Sequence, residues 1–217
     1  RLSSLMQIPQ IAVFSHDSIG VGEDGPTHEP IEQLAMLRSQ PNMYVFRPAD
    51  ETETKAAWYC AVTSMRTPTS IVLSRQSLPV LENSSKDALK GGYILRNEKK
   101  DSPDVIMVAT GSETGIAVEA AEMLEADGIS ARVVSMPCME LFEEQSEEYR
   151  NAVLPPEITK RAVIEAGSSM SWGRYAGIDG CYITMDTFGA SAPAAQLFEK
   201  YGFTADNVRK IIKTYVN

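Results

Sequence analysis

Short apolar runs alternate with stretches of helical spacing along the first 80 residues. Ile11–Phe14 is an unbroken apolar run of the kind a buried strand needs. From Pro30 to Leu37 the apolar residues fall at 31, 34, 35 and 37, one face of a helix. Asn42–Phe46 predicts a second strand, ended by Arg47-Pro48. Asp50-Glu51-Thr52-Glu53 reads as a capping box, with Asp at the N-cap and Glu three residues on, opening a helix that runs to about Met65. Thr69–Leu73 predicts a third strand. Strand–helix–strand–helix–strand implies a parallel sheet, and three strands in 80 residues read as a truncated one.

A polar stretch follows, from Glu82 to Pro103, with Gly91-Gly92 inside it and few large apolar groups besides Tyr93-Ile94-Leu95. It predicts a linker over 81–103 with one short extended piece. From residue 104 the alternation resumes. Val105–Ala109, Ala131–Ser135, Ala162–Glu165 and Cys181–Thr184 predict strands, and Glu113–Ala126 predicts a helix stopped by Asp127-Gly128. Met139–Asn151 predicts one mostly polar helix, and two more close the chain, around 194–201 and 204–215. The chain is thus α/β, two consecutive units with mainly parallel sheets. Residues 1–80 form a partial domain, and 104–217 a complete one of about 110 residues, large enough for its own core.

Net charge is −9, and no basic patch is present, which disfavours nucleic acid. No apolar run approaches the length of a membrane span. Cys60, Cys138 and Cys181 have neither disulfide-framework nor metal-ligand spacing, so reduced thiols in a cytoplasmic protein are expected. The abrupt opening on Arg1 predicts a piece of something longer.

In open parallel sheets, ligands bind beyond the carboxyl ends of the strands. The segment after the first strand runs from Ser15 to His28 and holds both histidines of the chain, His16 and His28, with Asp17, Glu23 and Asp24. After the third strand comes Ser74-Arg75-Gln76. One sheet edge therefore gathers a guanidinium, two imidazoles and a carboxylate, groups suited to a small anionic, hydroxylated ligand. Taken singly, each has a plainer role: a solvated loop His, a turn or capping Asp, an Arg paired on the surface. Thr110-Gly111-Ser112-Glu113 is a strand–Gly–helix turn. It lacks dinucleotide-fingerprint and P-loop spacing and reads as a tight turn rather than a phosphate cradle. The Glu143-Glu144 and Glu147-Glu148 cluster reads as a solvated helix face.

Ser15-His16-Asp17-Ser18 followed by Gly22-Glu23-Asp24-Gly25-Pro26-Thr27-His28 resembles transketolase. So do Phe46–Asp50, Leu73–Gln76, Ala109–Glu113, Val133–Pro137 and Thr187–Pro193. These matches keep the family's order along the whole chain. They correspond to the later part of the pyrimidine-binding domain and the entire C-terminal domain. The resemblance implies a thiamine-diphosphate enzyme moving a two-carbon ketol unit between sugar phosphates. It implies that His16 and Arg75 hold the substrate phosphate and that Asp24 binds a sugar hydroxyl. His28, the implied catalytic residue, also binds substrate beside the reacting oxygens. These residue types suit those tasks.

The family's catalytic glutamate and the aromatics that stack on the aminopyrimidine have no match in these residues. Nor is there a Gly-Asp-Gly motif, which the family uses to hold the diphosphate and a divalent metal (magnesium or calcium). Thiamine diphosphate and metal are therefore implied for a longer parent, with no cofactor-binding or metal residue in this chain, which alone is expected to be inactive. A homodimer, the N-terminal part of the same polypeptide and sugar phosphates are the implied partners. Two alternatives stand beside this. One is a non-enzymatic dimerisation or assembly module formed by the C-terminal domain. The other is a related thiamine-diphosphate enzyme of the deoxyxylulose-phosphate synthase or 2-oxoacid dehydrogenase type.

Overall fold

The computed structural model describes residues 1–217. A short helix α1 (Leu2–Met6), which periodicity did not predict, leads into β1 (Ile11–Ser15). Two single 3-10 turns, a helix α2 (Gln33–Arg38), β2 (Tyr44–Phe46), α3 (Glu51–Thr63) and β3 (Thr69–Leu73) complete the first unit. Its three strands are parallel in the order β1-β3-β2. Phe46 and Ile71 pack on Ala57 and Ala61 of α3, and Val45 and Val72 pack on Leu34 of α2. Both faces of β2 and β3 are thus covered. Edge strand β1 is not: Val13 and Phe14 are 47% and 44% exposed.

The second sheet holds β4 (Tyr93–Arg96), β5 (Val105–Ala109), β6 (Ala131–Ser135), β7 (Arg161–Ile164) and β8 (Cys181–Ile183), in the order β4-β6-β5-β7-β8. All neighbours are parallel except β4 with β6. Every residue of β5 and β6 lies in the core, the pattern of a sheet covered on both faces. Val105, Met107 and Val133 face α4 (Glu113–Ala126), and Ile106, Val108 and Val134 face the other way. The latter meet α5 (Met139–Glu143), α6 (Glu147–Val153) and α7 (Gly173–Ala176) through Phe142, Val153 and Tyr175. Helices α8 (Ala194–Lys200) and α9 (Ala205–Val216) close the chain, with α9 lying on the α4 side through Val208 and Ile212.

Two expectations need correction. The stretch 81–103 is not simply a linker: its extended piece is the antiparallel edge strand β4, with Tyr93 and Leu95 buried. The Gly91-Gly92 pair that suggested a loop instead permits close packing. A Cβ on Gly91 would fall 2.3 Å from the Cys138 carbonyl oxygen, so the absence of a side chain is what lets α5 approach. The single helix expected over 139–151 is two, because Ser146 accepts from the Tyr149 N–H (3.2 Å) and caps a new start.

Candidate substrate-binding site

Parallel pairing puts the carboxyl ends of β1, β2 and β3 on one edge. The register sets Ser15 beside Leu73, so His16 leaves its strand level with Ser74, one residue before Arg75. His16 is half-buried and takes a left-handed φ of 69°. Its Nδ1 pairs with the Ser15 hydroxyl at 2.8 Å. Asp24 and His28 flank the second 3-10 turn and are exposed, and His28 Nδ1 pairs with the Thr27 hydroxyl at 2.9 Å. Arg75 is exposed as well. The loop bearing Asp24 is tied to the C-terminal domain, where the Ser191 hydroxyl donates to the Glu23 carbonyl at 2.5 Å. The segment Thr187–Pro193, one of the stretches that carry the resemblance, therefore also braces this loop.

Beneath the loop lies a feature that sequence reasoning missed. Arg47, the residue that ends β2, is 0% exposed. Its Nε donates to Asp17 Oδ2 at 2.9 Å. Its Nη1 donates to the Thr110 carbonyl (3.1 Å), to Thr110 Oγ1 (3.0 Å) and to Glu113. Glu113 also accepts from the Ala166 N–H at 2.9 Å. Thr110 Oγ1 donates to Glu165 at 2.6 Å, and Arg38 and Trp172 Nε1 donate to the same carboxylate at 2.8 and 2.9 Å. Burial alone would raise Glu165, but the Arg38 and Arg47 charges and the Thr110 hydroxyl overcome it and hold the carboxyl down at about 2. Asp17, Arg38 and Arg47 come from the first domain; Thr110, Glu113 and Glu165 follow strands of the second. The turn at Thr110–Glu113, which the sequence reads as a tight turn rather than a phosphate cradle, is filled by Arg47. A Cβ on Gly111 would lie 2.7 Å from the Arg47 Cζ, so that glycine makes room for the guanidinium. Arg47 lies in the Phe46–Asp50 stretch that carries the resemblance, but nothing local marks it as buried; its partners are 30 to 118 positions away.

Elsewhere, a cleft of about 530 Å³ between α2, α5 and α7 is lined by Arg38, Glu140 and Arg174, among others, but by none of His16, Asp24, His28 and Arg75. No group of three or more His, Cys, Asp or Glu side chains converges as a metal ion requires. The donor set of this chain thus does not fit the divalent metal that the resemblance implies. All three cysteines are free thiols, and no helix is long and apolar enough to cross a membrane.

Two α/β units meeting at their strand ends, with an imidazole- and carboxylate-bearing loop over the junction, define the architectural class. The comparisons narrow it. The family model for the transketolase pyrimidine-binding domain matches residues 1–80, and that for the transketolase-like C-terminal domain matches 91–204. The chain belongs to the transketolase family. It is 50% identical to transketolase of Bacillus subtilis over 100% of its own length and 33% of that protein's. Among solved structures, Pichia stipitis transketolase in complex with sedoheptulose 7-phosphate superposes with a TM-score of 0.93 at 45% identity, over 99% of this chain and 31% of that one. A split-gene transketolase, described as an inactive β4 tetramer, superposes at 0.70 with 29% identity, over 95% of this chain and 66% of that one. The chain spans about a third of the length of the curated relatives it matches.

Proposed function

We propose that these residues form the sugar-phosphate side of a transketolase, a thiamine-diphosphate-dependent transferase moving a two-carbon ketol unit between sugar phosphates. His16 and Arg75 bind the substrate phosphate, Asp24 a sugar hydroxyl, and His28 the oxygens at the reacting carbon, where it helps move the proton. The carrying observation is the β1–β3 register, which brings the His16 and Arg75 strand ends side by side. A histidine and an arginine one strand apart suit a phosphate, to which guanidinium donates in bidentate fashion. The Pichia stipitis relative bound to a sugar phosphate supports the same ligand class. The thiamine diphosphate and its divalent metal are held by parts of a longer cytoplasmic homodimer that this chain does not supply. The inactive split-gene relative supports that division of labour.

The test is mutagenesis in a full-length transketolase carrying this segment. Arg75→Ala removes a charge-assisted contact worth about 1.5–3 kcal/mol, roughly 10- to 150-fold. That loss is expected with xylulose 5-phosphate and not with unphosphorylated xylulose. His28→Ala is expected to lower turnover with both. Equal losses from Arg75→Ala on the two sugars would defeat the assignment.

A further inference from the structure

We propose that Arg47 is a positioning residue for His16, acting through Asp17, and that the C-terminal domain thereby sets the geometry of the phosphate subsite. This rests on the reading of His16 as a phosphate ligand. His16 has a left-handed backbone, a conformation that a non-glycine residue keeps only when its surroundings impose it. Its own ring does not impose it, since its one side-chain hydrogen bond is to the adjacent Ser15. The next residue does. Asp17 is 1% exposed and takes the Arg47 Nε hydrogen bond, and its second oxygen accepts from the Ser18 hydroxyl, which caps the following turn. Fixing Asp17 fixes where the chain leaves β1 and hence where His16 sits.

Arg47 is not a neighbour of β1. It ends β2, and β3 lies between them. Its head is held by the other domain, on the Thr110 carbonyl, Thr110 Oγ1 and Glu113. Its backbone is held there too: its N–H donates to the Pro137 carbonyl at 2.8 Å, and its carbonyl accepts from the Gly111 N–H at 3.1 Å. A displacement of the β5–α4 turn therefore moves Arg47, then Asp17, then His16. A chain of charge-assisted hydrogen bonds in a buried setting transmits such shifts because each link has few alternative partners.

The experiment uses full-length transketolase. Glu113→Gln and Thr110→Val each alter the hold on Arg47 from the C-terminal side, and neither residue belongs to the proposed substrate site. Each is expected to raise KM for xylulose 5-phosphate by about tenfold, the scale of coupling within one hydrogen-bonded network. KM for unphosphorylated xylulose and kcat are expected to stay near wild type. In a His16→Ala background the same substitutions are expected to add nothing. An unchanged KM in both variants, or an effect that persists without His16, would overturn the proposal. If His16→Ala itself leaves KM for the phosphorylated sugar unchanged, the phosphate reading fails separately. The coupling is then judged by the His16 ring NMR resonances: a shift in Glu113→Gln upholds it, and unmoved resonances overturn it.

Discussion

Glu29, the residue after His28, is 4% exposed, and neither carboxylate oxygen has a hydrogen bond of normal geometry. Burial against Gly189 pushes its carboxyl above the ordinary range, and the Ala190 backbone N–H offsets only part of that. A carboxyl raised in the folded state is neutral there at low pH. Its stability contribution is complete below the unfolded value and is lost as pH rises through the folded one. Glu29→Gln keeps the shape and does not titrate. It is expected to match wild type near pH 4.5 and to exceed it at pH 8 by about 1 kcal/mol, or roughly 2–4 °C in Tm. Thermal melts at the two pH values check this. A Gln variant less stable at pH 8 would mean that the ionised carboxylate has a partner. Nothing in Thr27-His28-Glu29 marks this residue as buried: an acid beside a loop histidine reads as solvated, and its burial comes from a segment 160 positions further on.

At the scale of elements, the start of α3 joins the two domains. Asp50 caps the helix, accepting from the Glu53 N–H at 3.0 Å, as the sequence pattern predicts. Glu53 goes further. One oxygen accepts from the Ala49 N–H, and the other from Tyr93 of β4 and Ser135 of β6. Asp50 also accepts from the Leu81 N–H and the Ser84 hydroxyl. Burial pushes Glu53 up to about 7, against the pull of its three donors. This junction therefore favours the folded state most below about pH 4.5 and less as pH rises through 7, by roughly 3 kcal/mol for a shift of this size. Glu53→Gln is expected to flatten that part of the pH–stability curve between 4.5 and 8, which chemical denaturation at several pH values measures. An unchanged slope would show that Glu53 does not titrate in this window. The local half of this arrangement was legible, because a cap involves residues three apart. The other half was not, because Tyr93 and Ser135 reach Glu53 only after β4 joins β6. The same reason hid the pairing of β4 with β6: its extended piece was read, but as part of a linker rather than of the second sheet. In the site, strand ends were readable from apolar runs, and the parallel pairing they imply brought His16 and Arg75 to one edge; the strand order was not readable. Nor was Arg47, because a buried guanidinium is recognised only by partners from other strands.

On the scale of the whole molecule, the two domains differ in completeness. The second sheet is covered on both faces by its own helices. The first leaves β1 open and exposes Leu2, Leu5 and Met6 of α1 and Trp58, Tyr59 and Val62 of α3. We expect this chain by itself to have no ketol-transfer activity. The proposed chemistry needs an acid on the aminopyrimidine, a diphosphate–metal clamp and stacking aromatics. These residues offer no convergent metal ligands and no Gly-Asp-Gly motif. A buried acid such as Glu53 or Glu113 does not substitute, since each is already engaged at the domain junction and catalytic geometry tolerates only about 0.5 Å of misplacement. On the proposed reading, what the chain supplies is one wall of a sugar-phosphate pocket, and substrate binding needs an opposite wall. The check is a coupled assay of the homogeneous chain with xylulose 5-phosphate, ribose 5-phosphate, thiamine diphosphate and magnesium, alongside calorimetry for cofactor binding. No turnover and no heat of binding are expected. Turnover that depends on thiamine diphosphate would mean that a carboxylate in these 217 residues reaches the aminopyrimidine, and the division of labour proposed above would fall.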